Sequence, residues 1–309
     1  MTGLRSLPTH VTARAHGKIN LHLGVGDAGA DGYHELVTVF EALGTPETVT
    51  LTPAAQDSVE VVGRYATAGV PLDERNLALA AVSAFRERTG WDGRVAITID
   101  KNVPVAGGMG GGSADAAAAL VAVAHLAGMT DRAVLTEIAE GLGADVPFAL
   151  LGGIALGRGR GDDLTRVLSR GTHHWVLATS TGQLSTTEVY ARLDDLRHEG
   201  EAEDSARLGE PEGVLTALAS GDVEKLAAHV HNDMTEAAVS LLPDIARVMD
   251  EGRRAGAHAV LLSGSGPTVG FLAQDAKHAL ELAVLLEASR GVREVVRTTG
   301  PAPGAHVID

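Results

Sequence analysis

One segment, Ile97-Thr-Ile-Asp-Lys-Asn-Val-Pro-Val-Ala-Gly-Gly-Met-Gly-Gly-Gly-Ser-Ala-Asp-Ala-Ala-Ala-Ala-Leu120, dictates much of what this chain can become. It reads as a strand, then a loop with five glycines between 107 and 112, then a helix beginning near Ser113. Glycine removes the Cβ atoms that hold a backbone away from a ligand, and it admits φ > 0. A helix N-terminus behind such a loop presents unpaired N–H groups and the positive end of the helix dipole. Together they form a seat for phosphate. A flexible linker is the competing reading, but linkers do not run from an apolar strand straight into a strong helix former.

Neither of the two best-known phosphate loops fits. A Walker loop needs G-x-x-x-x-G-K-[ST], and the lysine preceded by glycine, Lys18, is followed by Ile19. A literal G-x-G-x-x-G occurs once, at Gly24-Val-Gly-Asp-Ala-Gly29, but Ala30-Asp-Gly-Tyr-His34 after it is a turn and not an apolar helix.

The 309 residues suit one large domain or, better, two, and a hydrophobic content of 45% with alternating strand and helix patterns indicates a soluble α/β or α+β protein. A net charge of −15 argues against nucleic acid and anionic membrane as partners. A phosphorylated ligand must then be held by backbone N–H groups and a few local cations. The absence of cysteine excludes disulfides, thiolate nucleophiles and zinc–thiolate sites. No N-terminal apolar h-region and no 18-residue apolar run occur, so a cytoplasmic location is expected. The thirteen histidines lack metal-ligand spacing and are expected to be exposed or capping.

Alternation predicts strands at Val11–Ala15, Lys18–Leu23, Glu35–Leu43, Glu47–Leu51, Ser58–Val62 and Arg94–Asp100. Helices are predicted at Asn76–Arg88, capped by Asp73 or Asn76, then at Ser113–Ala127 and Asp131–Gly141. The glycine-rich stretch 152–161 is expected to carry a strand. In the second half the pattern predicts a strand at His174–Thr179 and helices at Ser185–Leu196, Val214–Ser220, Val223–His231 and Asp244–Ala255. The closing pattern is strand Ala257–Leu262, turn Ser263–Pro267, strand Thr268–Leu272, helix Ala276–Ala288 and strand Val292–Thr298, as in an antiparallel sheet with helices on one face. The acidic stretch 198–213 reads as a solvated loop.

Three motifs in order resemble the GHMP kinase superfamily: Ala15-His-Gly-Lys-Ile-Asn-Leu21, Pro104-Val-Ala-Gly-Gly-Met-Gly-Gly-Gly-Ser-Ala114 with Asp115 behind it, and Leu262-Ser-Gly-Ser-Gly-Pro-Thr268. Asp31-Gly-Tyr-His-Glu-Leu36, the triple glycine Gly110–Gly112 and Leu142-Gly-Ala-Asp-Val-Pro147 place the likeness in the branch that acts on a cytidyl-linked methylerythritol. The resemblance implies an α+β two-domain fold. Its β-rich nucleotide domain would span 1–168, and a ferredoxin-like α/β sandwich that binds substrate would span 169–309. The implied activity is ATP-dependent phosphorylation of the tertiary C2 hydroxyl, a step of the non-mevalonate isoprenoid route, with ATP and Mg²⁺ as cofactors. The implied assembly is a monomer or weak homodimer.

The resemblance also implies site residues. Lys18 and Asp145 match the catalytic lysine and aspartate. Pro104, Ala106, Gly107, Gly108, Met109, Gly110, Gly111, Gly112, Ser113 and Ala114 match the nucleotide loop, and Asn76 and Lys101 match positions near the base. Asn20, Tyr33, His34, Asp145, Thr186, Tyr190, Gly264, Ser265 and Gly266 match the substrate side, with the tyrosines facing the cytosine. The metal's ligands stay unassigned. On physical grounds Ser113 is expected to cap its helix, or to reach phosphate, and Asp115 to complement the helix dipole. An ordinary aspartate is a poor base toward an alcohol, but in a loose phosphoryl-transfer transition state orientation of the hydroxyl matters more than early proton removal. Two features depart from the pattern. His16-Gly17 stands where Pro-Ala is usual, and Gly17 is expected to loosen the lysine strand; Met109 replaces a usual leucine. The alternatives are another GHMP kinase, of homoserine or mevalonate type, and a catalytically silent nucleotide sensor.

Overall fold

The first 50 residues are dominated by two strands far longer than alternation indicates. In the computed structural model, which describes residues 9–30, 32–67, 69–105, 107–200 and 208–309, the first two predicted strands fuse into β1 (Val11–Ala28) and the next two into β2 (His34–Pro53). Breaks in the alternation misled the sequence reading because β1 absorbs them as bulges, with register shifts at 16/18, 20/22 and 25/28 against β2. Two later strands pair with different parts of β2: residues 154–157 pair with its 38–41 segment, and residues 95–100 pair with its 48–53 segment.

The chain continues through β3 (Ser58–Val62), α1 (Leu77–Thr89), β4 (Val95–Asp100), α2 (Gly111–Leu126), α3 (Arg132–Leu142), α4 (Val146–Leu151), β5 (Ile154–Arg158) and β6 (Asp163–Arg166). Asn76 caps α1 by accepting from the Ala78 N–H, and Asp131 caps α3 by accepting from Ala133. The short α4 and β6 carry no periodic signal, and the sequence reading missed both. The alanine-rich α2 is buried nearly all round, packed between the sheet and α1, α3 and α4. Small side chains allow that depth of burial.

The second half holds β7 (His173–Ser180), α5 (Thr186–Glu199), α6 (Glu212–Ser220), α7 (Val223–Ala227), β8 (His231–Asn232), α8 (Thr235–Leu241), α9 (Asp244–Arg254), β9 (Ala259–Leu262), β10 (Val269–Ala273), α10 (Ala276–Glu287), β11 (Val292–Gly300) and β12 (His306–Val307). The antiparallel sheet runs β11-β7-β10-β9. Its strands are apolar on both faces because both are covered: Val176, Ala178, Val269 and Phe271 pack in one core with α5, α8, α9 and α10, while Trp175, Leu177 and Leu272 pack in another with Ile19 and Leu21 of β1. A Cβ at Gly270 would stand 2.5 Å from Ile19 Cδ1, so this strand lies close over β1. Two late segments return to the first sheet: β8 pairs with β1 in parallel, and β12 pairs with β1 antiparallel.

Several histidines depart from expectation. His16, His22 and His173 are buried, each with a partner: Pro303 O at 2.9 Å, Gly209 O at 2.7 Å and Glu41 Oε1 at 2.7 Å. Glu41, fully buried, also accepts from Trp175 Nε1 at 3.1 Å, tying the two sheets together.

Candidate active site

The glycine loop leaves β4 and climbs over β1 before α2 begins. The helix cap is Gly110, in the left-handed region at φ 67. Ser113 lies inside the first turn, so the expected serine cap is corrected. Gly108 also needs a left-handed backbone, at φ +73, and the Ser263 carbonyl fills the place where its Cβ would stand. Ser263 Oγ donates to Gly108 O at 3.1 Å, so the third motif props the loop from the second half of the chain. Lys18 N donates to Met109 O at 2.9 Å. Gly17 does not loosen this contact. Its Cβ would come within 3.2–3.3 Å of Val103, Met109 O and Thr45, so glycine lets β1 press close against the loop.

A cavity of about 390 Å³ opens on the outer side of the loop, lined by Asn76, Lys101, Pro104, Gly107 and the run 108–113. Ala114 instead faces the core, as does the Met109 side chain, and Ala106 and Asp31 lie outside the described residues. The Asn76 amide is engaged within its own turn, with Oδ1 accepting from Ala78 N and Nδ2 donating to Pro71 O.

Behind the loop lies a larger cavity of about 830 Å³. Lys18 and Asp145 face each other there with Nζ 3.5 Å from Oδ2. Asp145 occupies the cap position of α4 but makes no cap bond, which leaves its carboxylate to turn toward Lys18. Lys18 Nζ donates to Asn20 Oδ1 at 2.8 Å; Asn20 Nδ2 donates to Thr38 Oγ1 at 2.8 Å; Thr38 donates to His22 O at 2.8 Å. Residues 18 and 20 share one strand face, so the relay follows from the period of two. With every donor and acceptor paired in sequence, the Asn20 amide has one orientation.

At the far end of this cavity His34 and Tyr190 stack, with centroids 4.8 Å apart and planes at 30°. His34 Nε2–H donates to Asp194 Oδ1 at 2.9 Å. Burial, then the nearby Asp145 charge, pushes the Tyr190 phenol up to about 12, so it stays neutral. Tyr33 is 57% exposed at the rim, under the Arg160 guanidinium 3.8 Å from its ring centroid. Gly264 and Ser265 line the cavity, and Ser265 Oγ lies 2.9 Å from Thr186 Oγ1. Gly266 stands behind, packed on Leu262.

Asp115 requires a correction. It is buried and bound to Lys101 Nζ at 2.7 Å, and Lys101 also reaches Glu47 Oε1 at 2.6 Å. With Glu47 the two form a buried ionic cluster beneath the loop, where Asp115 was expected only to complement the helix dipole. Burial, with Lys101 pulling down and Glu47 pushing up, raises the Asp115 carboxyl to about 7.

Sequence reasoning missed Thr38, Arg160, Asp194 and Asn232. Asn232 is buried behind the third motif; its Nδ2 donates to Leu262 O and Gly264 O at 2.9 and 2.8 Å, and its Oδ1 accepts from Met234 N. No spacing rule singles out an asparagine that works through backbone carbonyls 30 residues away.

A glycine loop leading into a helix N-terminus, a lysine–aspartate pair behind it and a large second cavity together describe a small-molecule kinase. The chain belongs to the GHMP kinases: the N terminal domain of that family matches residues 76–153 and its C terminal domain matches residues 214–286. It is 51% identical over 308 residues to the 4-diphosphocytidyl-2-C-methyl-D-erythritol kinase of Nocardia farcinica, covering 99% of both chains. It is 50% identical to the kinase of the same name from Mycobacterium tuberculosis, covering 96% of this chain and 93% of that one. A crystal structure of 4-(cytidine 5'-diphospho)-2C-methyl-D-erythritol kinase superimposes with a TM-score of 0.76 at 31% identity, covering 93% of this chain and 98% of that one. Homoserine kinase from Cytophaga hutchinsonii, at 18% identity, shares the fold with a TM-score of 0.77 and full coverage of both chains.

Proposed function

We propose that this chain transfers the γ-phosphoryl group of ATP to the C2 hydroxyl of 4-diphosphocytidyl-2-C-methyl-D-erythritol. The observation that carries the reading is the Lys18–Asp145 pair at 3.5 Å, against the glycine loop on one side and open to the aromatic cavity on the other. The names of the half-identical relatives give the substrate.

In this reading the N–H groups of Gly107–Ser113 hold the β- and γ-phosphates, and the α2 N-terminus adds its dipole. Asp145 orients the C2 hydroxyl and accepts its proton as the P–O bond forms, while Lys18 offsets the charge that grows on the transferred group. Asn20 is locked by Lys18 and Thr38 and positions the polyol. The Tyr190 face, with Tyr33 and His34, takes the cytosine, and His34 reads the cytosine edge through its backbone as well as its ring. Magnesium belongs to the same reading. Glu140 and Asp145, which line the cavity beside the loop, are hard oxygen donors of the kind that ion takes. It would neutralise phosphate charge.

The remaining site assignments, Pro104, Ala106, Met109, Ala114, Asn76, Lys101, Thr186, Gly264, Ser265 and Gly266, stand as part of this proposal. So does the division into 1–168 and 169–309, which the two separate sheets support and which β8 and β12 cross. The reading also takes the protein to be a cytoplasmic monomer or weak homodimer that binds neither nucleic acid nor membrane. The net charge of −15 supports the exclusion of nucleic acid and anionic membrane as partners; no described helix is long and apolar enough to cross a bilayer.

The test is an assay of purified protein with ATP, Mg²⁺ and the cytidyl substrate, following ADP release and product mass. Phosphorylated cytidyl product with no turnover of homoserine or mevalonate is expected. Turnover of either of those instead would overturn the assignment.

A further inference from the structure

The ionic cluster beneath the glycine loop holds more than its own charges. Lys101 follows the last residue of β4, and its backbone is tied to the neighbouring strand by Lys101 N donating to Val62 O at 2.8 Å. Its side chain turns inward, where Nζ meets Glu47 Oε1 at 2.6 Å and Asp115 Oδ2 at 2.7 Å. Glu47, with no exposed surface, spends its carboxylate on the entry to the loop as well: Asn102 N donates to Oε2 at 2.8 Å and Val103 N to Oε1 at 3.3 Å. Asp115 sits one turn into α2, at the exit. Gly111, the first residue of that helix, rests on the cluster; its Cβ would stand 3.1 Å from Glu47 Oε1 and 3.2 Å from Lys101 Nζ. Both ends of the loop are therefore pinned to one buried set of charges.

Fold stability does not explain such a cluster well. Desolvating three charges costs several kcal/mol per ion, and replacing a buried ionic triad by well-packed hydrophobic residues of similar volume is often neutral or stabilising. Asp115 Oδ1 is buried with no hydrogen-bond partner among the described residues, a further cost. What the cluster supplies is geometry. Directional bonds from one lysine to two elements set the spacing between the last residue before the loop and the first turn after it.

We infer that Glu47, Lys101 and Asp115 are positioning residues that hold the phosphate loop in its nucleotide-binding shape, and that the Lys101 ammonium, turned inward, does not read the base. The inference rests on the kinase reading above, since it needs that loop to bind the triphosphate.

The experiment compares wild type with Asp115→Asn and with the uncharged triple variant Glu47→Gln/Lys101→Met/Asp115→Asn, which leaves no unpaired charge. Calorimetry measures ATP, GTP and tripolyphosphate binding, and steady-state kinetics measures KM for ATP and for the cytidyl substrate. The triple variant is expected to melt near wild type while ATP, GTP and tripolyphosphate all weaken by about the same factor, roughly tenfold (about 1.4 kcal/mol). KM for the cytidyl substrate should stay unchanged. Asp115→Asn should show a smaller uniform loss, and it carries the test if the triple variant does not fold. A folded variant with unchanged binding of all three phosphates overturns the inference. So does a change in the ATP-to-GTP ratio with tripolyphosphate unaffected, which would make Lys101 a base contact. Failure of wild type to bind ATP would instead refute the kinase reading itself.

Discussion

Gly110 and Gly112 are two residues apart in the same loop-to-helix junction, yet the structure assigns them opposite responses to alanine. Gly110 holds φ 67, a conformation that costs an L-residue about 1–2 kcal/mol. Its new Cβ would stand 3.2 Å from Lys18 Cγ and 3.6 Å from Asp145 Oδ2, so Lys18 must give way by a few tenths of an ångström. Gly112 lies within α2, and its Cβ would meet Leu77 Cδ1 at 3.4 Å, an ordinary contact. Alanine there gains up to about 1 kcal/mol of helix propensity. At about 2–4 °C per kcal/mol for a chain of this size, Gly110→Ala should melt about 2–8 °C lower and Gly112→Ala up to about 4 °C higher. Turnover should separate them further. A misplacement of about 1 Å costs roughly 10²-fold, so a fraction of that at Lys18 should lower kcat by about tenfold in Gly110→Ala. Gly112→Ala should retain wild-type kcat. Scanning calorimetry and steady-state kinetics with each substrate varied in turn are the assays. Equal effects of the two substitutions on melting and on kcat would refute the argument from backbone conformation and from the proximity of Lys18.

Three further outcomes follow from the same geometry. Asp145→Asn should preserve folding and ATP binding while kcat falls roughly 10²- to 10⁴-fold, and turnover near wild type would remove Asp145 from the mechanism. Tyr190→Ala removes the ring stacked on His34 and should raise KM for the cytidyl substrate by about one to two decades, the worth of one stacking face, with KM for ATP unmoved; a rise for ATP alone would place Tyr190 at the wrong site. Burial lowers the pKa of His173, but the hydrogen bond and charge of Glu41 outweigh it, so the folded value lies above the ordinary 6.5. A raised folded pKa gives stability that is complete below the unfolded pKa and lost as pH rises through the folded one. The stability gap between wild type and His173→Gln in urea titrations should therefore shrink as pH rises above 6.5, and a gap that widens would reverse the sign assigned to Glu41.

What could be read along the chain was whatever acts within a few residues. The strand–glycine–helix order around 107–113 reads as a phosphate seat, Asn76 caps the helix it precedes, and Lys18 and Asn20 share a face because strands alternate. The antiparallel pattern of the second sheet was legible for the same reason. Tertiary structure decided the rest. Strand register, not local spacing, brings β1 under the loop, so that Gly17 becomes a fitted contact where a loosened strand was expected. Lys18 meets Asp145 only because α4 begins beside the cavity, and nothing in the Gly-Ala-Asp-Val-Pro segment forecasts which way that carboxylate turns. Lys101 shows the difference most plainly. Position in sequence puts it next to the nucleotide loop, but two carboxylates, from β2 and from α2, draw its ammonium inward and make it a tether. Capping and periodicity are energies of near neighbours along the backbone. The pairing of buried charges is an energy of whichever groups the fold encloses together, and only the packed chain determines which groups those are.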